Sequence, residues 1–251
     1  GFLPPNFRQI QPFANDTPVE FSQLFDPLRN EPLMGDDNGL VRVLGGGSRA
    51  VEPEQSTSLS VGAIVTPTVL PGARLSIDYT RIRKTGEIIS PDIQRLIDDE
   101  LLHPNKIVRA PNPGDPSLPG PIVEIDASLI NAVGSRMQAI DIQADYSFST
   151  SFGDFRAYLV ATRQLELKRQ YAVGGTPISL LGFRDGPLKW RGNLGVDWTL
   201  ENLRVGWNMQ YFHHYSILGA VENTFNTQNV ADQGTERIPS QSYHDIYLRY
   251  R

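Results

Sequence analysis

The chain has 251 residues, enough for one large domain or two small ones with a sizeable core. Its 23 basic and 28 acidic residues give a formal net charge of −5, which argues against nucleic-acid binding, whose footprint is a basic face. Zero cysteines exclude a disulfide framework, a thiolate metal site and a cysteine nucleophile, and no apolar run approaches the roughly 18 residues of a membrane-spanning helix. A membrane barrel stays open, because alternating strands look mild in hydropathy. The 22 glycines and 19 prolines point to a strand-rich, loop-rich chain. Its four histidines, His103, His213, His214 and His244, are too scattered for a His-rich metal site.

The chain opens Gly-Phe-Leu-Pro-Pro, with no methionine or secretory h-region, and stops inside a strand-like pattern at Arg251. It is therefore expected to be a piece of a longer protein. Leu44-Gly-Gly-Gly-Ser48 lacks the lysine of a phosphate loop and precedes a strand, so it reads as a flexible loop.

Seven segments then alternate apolar and polar residues. The first carries Leu59, Val61, Ala63 and Val65; the second Leu75, Ile77 and Tyr79. In the third, Ile140, Ile142, Ala144, Tyr146 and Phe148 alternate with Asp141, Gln143, Asp145 and Ser147. The fourth carries Phe155, Ala157, Leu159 and Ala161. Trp190, Leu194, Val196 and Trp198 mark the fifth, Val205, Trp207, Met209 and Tyr211 the sixth, and Ile246, Leu248 and Tyr250 the last. The third and fourth, over about 135–148 and 155–168, exceed the ordinary strand of about 5–6 residues.

Loop lengths segregate. The connections 67–72, 149–154 and 201–202 are short, whereas 85–121, 170–187 and 217–241 are long. That asymmetry is the pattern of outer-membrane barrels, and a sandwich has no reason for it. Trp190 and Trp198 share a face eight residues apart, about 26 Å along a strand and about 20 Å of height after tilting. They fit an aromatic girdle, or the dry core of a sandwich. Within the first long loop, Ser90-Pro91 predicts a helix N-terminus followed by Ile93, Leu96, Ile97 and Leu101, ended by His103-Pro104.

The polar face includes Arg74, Asp78, Asp141, Asp145, Arg156, Arg191, Asp197 and Arg249. Asp141 and Asp145 lie roughly 13 Å apart on one strand, too far for the two carboxylates of a glycosidase, so no catalytic residue is assigned. His213 and His214, as strand neighbours, are expected on opposite faces and assign no metal site.

Several stretches resemble TonB-dependent receptors. Residues 46–62, GGSRAVEPEQSTSLSVG, resemble the segment leading from an external loop into a barrel strand. Residues 71–88, PGARLSIDYTRIRKTGEI, resemble the following strand, and 131–146, NAVGSRMQAIDIQADY, the N-x-G…I-D…Y strand, with Ala139 where that family carries glycine. Phe25-Asp-Pro-Leu-Arg29 and the stretch from Glu100-Leu-Leu-His-Pro104 to Arg109 match as well.

The resemblance implies one partial receptor barrel domain over 1–251: all-β, an antiparallel transmembrane β-barrel segment with about seven long strands. It implies short periplasmic turns, long extracellular loops and one short loop helix. The segment would run from the fourteenth to the twentieth of about 22 strands, with the plug, the TonB box and the last strands outside it. By the same resemblance the protein sits in the outer membrane of a Gram-negative bacterium and is no enzyme. It would import a scarce substrate, a ferric siderophore or similar, with TonB-coupled energy. Expected partners are outer-membrane lipid, the plug of the same full-length chain, TonB and the small-molecule or metal-chelate substrate. No cofactor, metal or nucleic acid is implied.

Ligand capture would then use outer loops and upper lumen. Arg29, Arg49 and Arg109 are candidate contacts, since guanidinium pairs with carboxylate and catecholate oxygens, and His214 would face the lumen near the mouth. For each, a structural role is favoured over ligand contact. The competing readings are a secreted, soluble β-sandwich binding module for carbohydrate and, with less support, a β-rich hydrolase.

Overall fold

The computed structural model describes residues 1–19, 24–33, 41–103, 105–112, 114–173, 175–220 and 227–251, without the side chains of 12–19 and 227–229. All seven alternating segments are strands: β1 (Glu54–Val65), β2 (Ala73–Ile89), β3 (Ile130–Thr150), β4 (Gly153–Gln170), β5 (Trp190–Leu200), β6 (Leu203–Phe212) and β7 (Gln241–Tyr250). Each pairs antiparallel with the next in chain order. Phe2–Leu3 adds to the free edge of β1, and Ile178–Ser179 to β4. The long strands extend further than the alternation suggests. The first long loop occupies 90–129 rather than 85–121, because β2 and β3 keep pairing up to Ile89 and Ile130.

Register sorts the faces. Leu75, Ala144, Leu159 and Leu194 form one row, and Ile77, Ile142 and Ala161 the next. The row after that, on the other face, is Asp78, Asp141 and Thr162. Large apolar side chains stay open to the outside, with Val61 60%, Ile246 78% and Leu248 70% exposed. Among the described residues, the two buried apolar clusters lie in the long-loop region and not against this face. The sandwich alternative is therefore not what forms. Such a sheet needs lipid, or another apolar medium, on its outer side.

Short turns close the opposite end. The two-residue turn of β5 and β6 puts Glu201 at φ 51°, a conformation usually left to glycine. The turn between β1 and β2 uses Gly72 at φ 87°, where a Cβ would meet the Ser147 carbonyl oxygen at 2.0 Å.

The long-loop region folds into a second layer of structure, the cap. Strands Pro12–Val19, Val41–Gly46, Ile122–Asp126 and Ile107–Arg109 form a four-stranded sheet in that order. Leu33, Val41, Leu96, Ile97, Ile122 and Ile125 make its core, each worth about 1.5–3 kcal/mol of burial. Two expectations are corrected here. The glycine run is not a flexible loop: Leu44, Gly45 and Gly46 end a strand that pairs on both sides. The helix spans Ile93–Asp98 and is capped by Asp92, whose carboxylate accepts the Arg95 amide, rather than by Ser90. Leu96 and Ile97 are buried as the pattern predicts, but Leu101 is 86% exposed because the chain has tightened into a 3₁₀ turn at Glu100–Leu102. Pro104 lies outside the described residues.

Candidate functional site

The polar face of the sheet is a ladder of paired side chains. The Arg156 guanidinium donates to Asp145 at 2.8 Å, Arg204 to Asp197 at 2.9 Å, and the Thr162 hydroxyl to Asp141 at 2.6 Å. Two tyrosines lie across glycines. Tyr158 passes over Gly195, its register partner on β5, and donates to Asn208 on β6 at 3.1 Å. Tyr247 passes over Gly206 and donates to Asp197. A Cβ on Gly195 would sit 2.4 Å from the Tyr158 ring, so the glycines create the space the tyrosines use.

Register also reveals a pair that sequence reasoning missed: Asp78 and Asp141 are directly opposite on β2 and β3. Like charges so placed repel. Each is held by its own hydroxyl, Ser76 at 2.8 Å for Asp78 and Thr162 for Asp141. Hydroxyl-solvated carboxylates on an open polar wall suit a hydrated lumen, and nothing here positions a nucleophile or a general acid.

In the cap, Arg109 is fully engaged. Its terminal nitrogens donate to both carboxylate oxygens of Asp26 at 2.7 and 2.9 Å and to the Gly120 carbonyl at 2.8 Å. Nε and Nη2 also reach Glu100 at 3.0 and 2.7 Å. All five N–H groups of a guanidinium are thereby used. Burial disfavours the Arg109 charge, but the bonds and charges of Asp26 and Glu100 outweigh it and raise its pKa. Arg29 pairs with Glu31 and donates to the Pro119 carbonyl at 3.1 Å. The two arginines thus grip adjacent carbonyls of one loop, the sole pair among the four candidates that the structure brings together.

Arg49 is exposed in the turn before β1 and has no ion-pair or hydrogen-bond partner among the described residues. His214 follows the end of β6, with its amide donating to Ser240 at 3.0 Å and to His213 Nδ1 at 2.9 Å. The two histidine rings lie 3.9 Å apart, edge to face. Opposite faces were expected. The strand has already ended at Phe212, so the alternation no longer applies.

Aromatic residues bound the apolar face at the short-turn end. Tyr146 stacks on Phe148 at 4.9 Å and Phe148 on Phe155 at 5.1 Å. Trp198, the register partner of Phe155, donates its indole N–H to the Phe152 carbonyl at 2.7 Å. At the other end, the Arg163 guanidinium lies 5.3 Å over Trp190. The two tryptophans therefore stand at opposite ends of the apolar band, Trp198 with its indole N–H bonded and Trp190 beneath a cation, as suits a lipid–water boundary.

A two-faced sheet with aromatic borders, short turns on one side and a folded cap on the other defines a segment of a membrane β-barrel. Residues 4–251 match the family described as TonB dependent receptor-like, beta-barrel, and the chain belongs to that family. Its members are receptors and transporters of the Gram-negative outer membrane rather than enzymes. No curated protein sequence matches the chain significantly. Among solved structures, the chain is similar to a mutant ferric enterobactin receptor, PfeA of Pseudomonas aeruginosa, in complex with enterobactin (TM-score 0.60, 10% identity, 100% of this chain). It is also similar to the siderophore receptor PirA of Acinetobacter baumannii (TM-score 0.53, 16% identity, 83% of this chain). The chain spans 29% and 27% of those two proteins, and at such identities the likeness establishes the fold.

Proposed function

We propose that this chain is the ligand-facing, C-terminal part of the barrel of an outer-membrane active transporter that imports a ferric siderophore or similar scarce chelate with TonB-coupled energy. The observation that carries the reading is the opposition of the two sheet faces beneath a folded cap. An apolar band suits lipid, a polar ladder suits a lumen and plug, and a cap on the long-loop side suits substrate capture. The siderophore class is drawn from the structural neighbours PfeA and PirA.

In this reading Arg49 and His214 are the candidates free to meet an anionic chelate at the mouth, and Arg29 keeps donors in reserve. Arg109 serves instead to hold the cap in shape. The test is uptake of radiolabelled iron from a panel of ferric siderophores by cells expressing or lacking the full-length receptor, with and without TonB. Loss of uptake of at least one chelate on removing either protein is expected; unchanged uptake of every chelate in iron-starved cells would overturn the proposal.

A further inference from the structure

The apolar face does not stay apolar along its whole length. Above Tyr79 and Ile140, the side chains that continue the same face are Arg81 and Arg83 on β2, and Gln138 and Arg136 on β3. On β4 a bulge at Leu165 intervenes: Ala139 pairs with Gln164 but Gln138 with Glu166. That one extra residue shifts the alternation, so Glu166 and Lys168 join this outer face while Leu165 is left as the unpaired residue. Arg83, Arg136 and Lys168 then stand directly opposite one another on three neighbouring strands.

Like charges in that arrangement repel, and among the described residues the three arginines of these rows meet no carboxylate. Arg81, Arg83 and Arg136 are exposed and have no ion pair among the described residues. The one carboxylate in these rows, Glu166, is shared between Gln138 and Lys168, the latter at 3.4 Å. Four cations against one anion leave three positive charges unbalanced. On the polar face, Arg156, Arg169 and Arg204 each lie beside a carboxylate.

Height matters as much as charge. From Phe148 to Ile140 is eight residues, about 26 Å of strand and about 20 Å of membrane depth. Arg136 lies four residues beyond Ile140, about 13 Å further along the strand, so the cationic row stands at the level of headgroups on the long-loop side. Just above it lies a hollow lined by Gly134, Arg83, Arg136, Lys168 and Gln170.

We propose that Arg81, Arg83, Arg136 and Lys168 form an external binding site for the phosphate groups of a glycolipid in the outer leaflet, whose acyl chains lie on the apolar band below. Guanidinium forks match phosphate oxygens bidentately, and an anion bridging three strands removes the repulsion that the register imposes. The inference rests on the outer-membrane reading above.

The test uses the full-length receptor purified from outer membranes in mild detergent, with purified lipid A as probe and native mass spectrometry as readout. Wild-type receptor is expected to retain the phosphorylated glycolipid, and Arg83→Gln/Arg136→Gln/Lys168→Gln to retain it on the order of 100-fold more weakly. Arg83→Lys/Arg136→Lys/Lys168→Arg, which keeps the charges, should recover most of the binding. Dephosphorylated lipid A should not bind. Equal retention by wild type and the glutamine variant overturns the proposal, as does displacement by millimolar inorganic phosphate alone, which marks a free-anion site. Membrane fractionation separates the two readings: a receptor in the outer membrane without glycolipid selectivity refutes this site and leaves the transporter, whereas absence from that membrane refutes both.

Discussion

Asp26 receives both terminal nitrogens of Arg109, at 2.7 and 2.9 Å, across 83 positions of sequence. The carboxylate is 2% exposed, so this pair is a buried tie between the short strand Phe25–Asp26 and the cap strand Ile107–Arg109. Replacing Asp26 by alanine leaves a buried guanidinium with Glu100 as its remaining anion and the Gly120 carbonyl beside it, a change of about 3–5 kcal/mol in the stability of the cap. Hydrogen exchange of the Ile122–Asp126 amides in the full-length receptor should accelerate accordingly, while exchange in the middle of β3 and β4 stays unchanged.

Gly206→Ala should be more damaging than its size suggests. The new Cβ would meet the Tyr247 ring at 2.2 Å and the Asp197 carboxylate at 2.6 Å, so the tyrosine must swing off the strand. Overpacking of this kind costs about 1–3 kcal/mol, read as a lower Tm in detergent. The double variant Gly206→Ala/Tyr247→Ala removes the clash and should recover part of the loss.

The cap should loosen in mild acid. Burial lowers the pKa of His103 from its ordinary 6.5, and the positive charges of Lys106 and Arg95 add to the effect against Asp99. The unfolded segment then binds the proton more readily than the folded one. Stability is therefore constant above about pH 6.5 and falls as pH drops below it. Asp92 and Asp98 are shifted upward by burial, which acts in the opposite sense and at lower pH, within the carboxylate range. Exchange of cap amides at pH 7.5 and 5.5, corrected for intrinsic rates, should show the loss in wild type and not in His103→Gln.

Expressed alone, the 251-residue chain should require detergent. Every residue of β7 is exposed, and its outer edge offers unpaired backbone groups beside Ile246, Leu248 and Tyr250. Sedimentation in plain buffer should find aggregates, and in detergent a dispersed strand-rich species; a soluble monomer without detergent would contradict the assignment of the apolar face to lipid.

The seven strands and their two faces were legible in the sequence because alternation is a local property: Ile140, Ile142 and Ala144 declare a face wherever the strand is placed. The short turns and the helix around Leu96 and Ile97 were legible for the same reason. What lay beyond the sequence was register and long-range charge. Arg136 meets Arg83 through the register of β2 and β3, and Lys168 through a one-residue bulge at Leu165 that no local pattern marks. Likewise Leu44-Gly-Gly-Gly-Ser48 reads as a loop because glycine favours loops, yet Gly45 and Gly46 pair with Phe13 and Pro12, and Leu44 with Asp126, which overrides that preference. The partner of Arg109 was hidden because a buried ion pair is set by three-dimensional proximity, not by spacing. Local periodicity thus determined that this chain builds a two-faced membrane sheet, while tertiary structure decided which charges it neutralises internally and which it leaves for something outside.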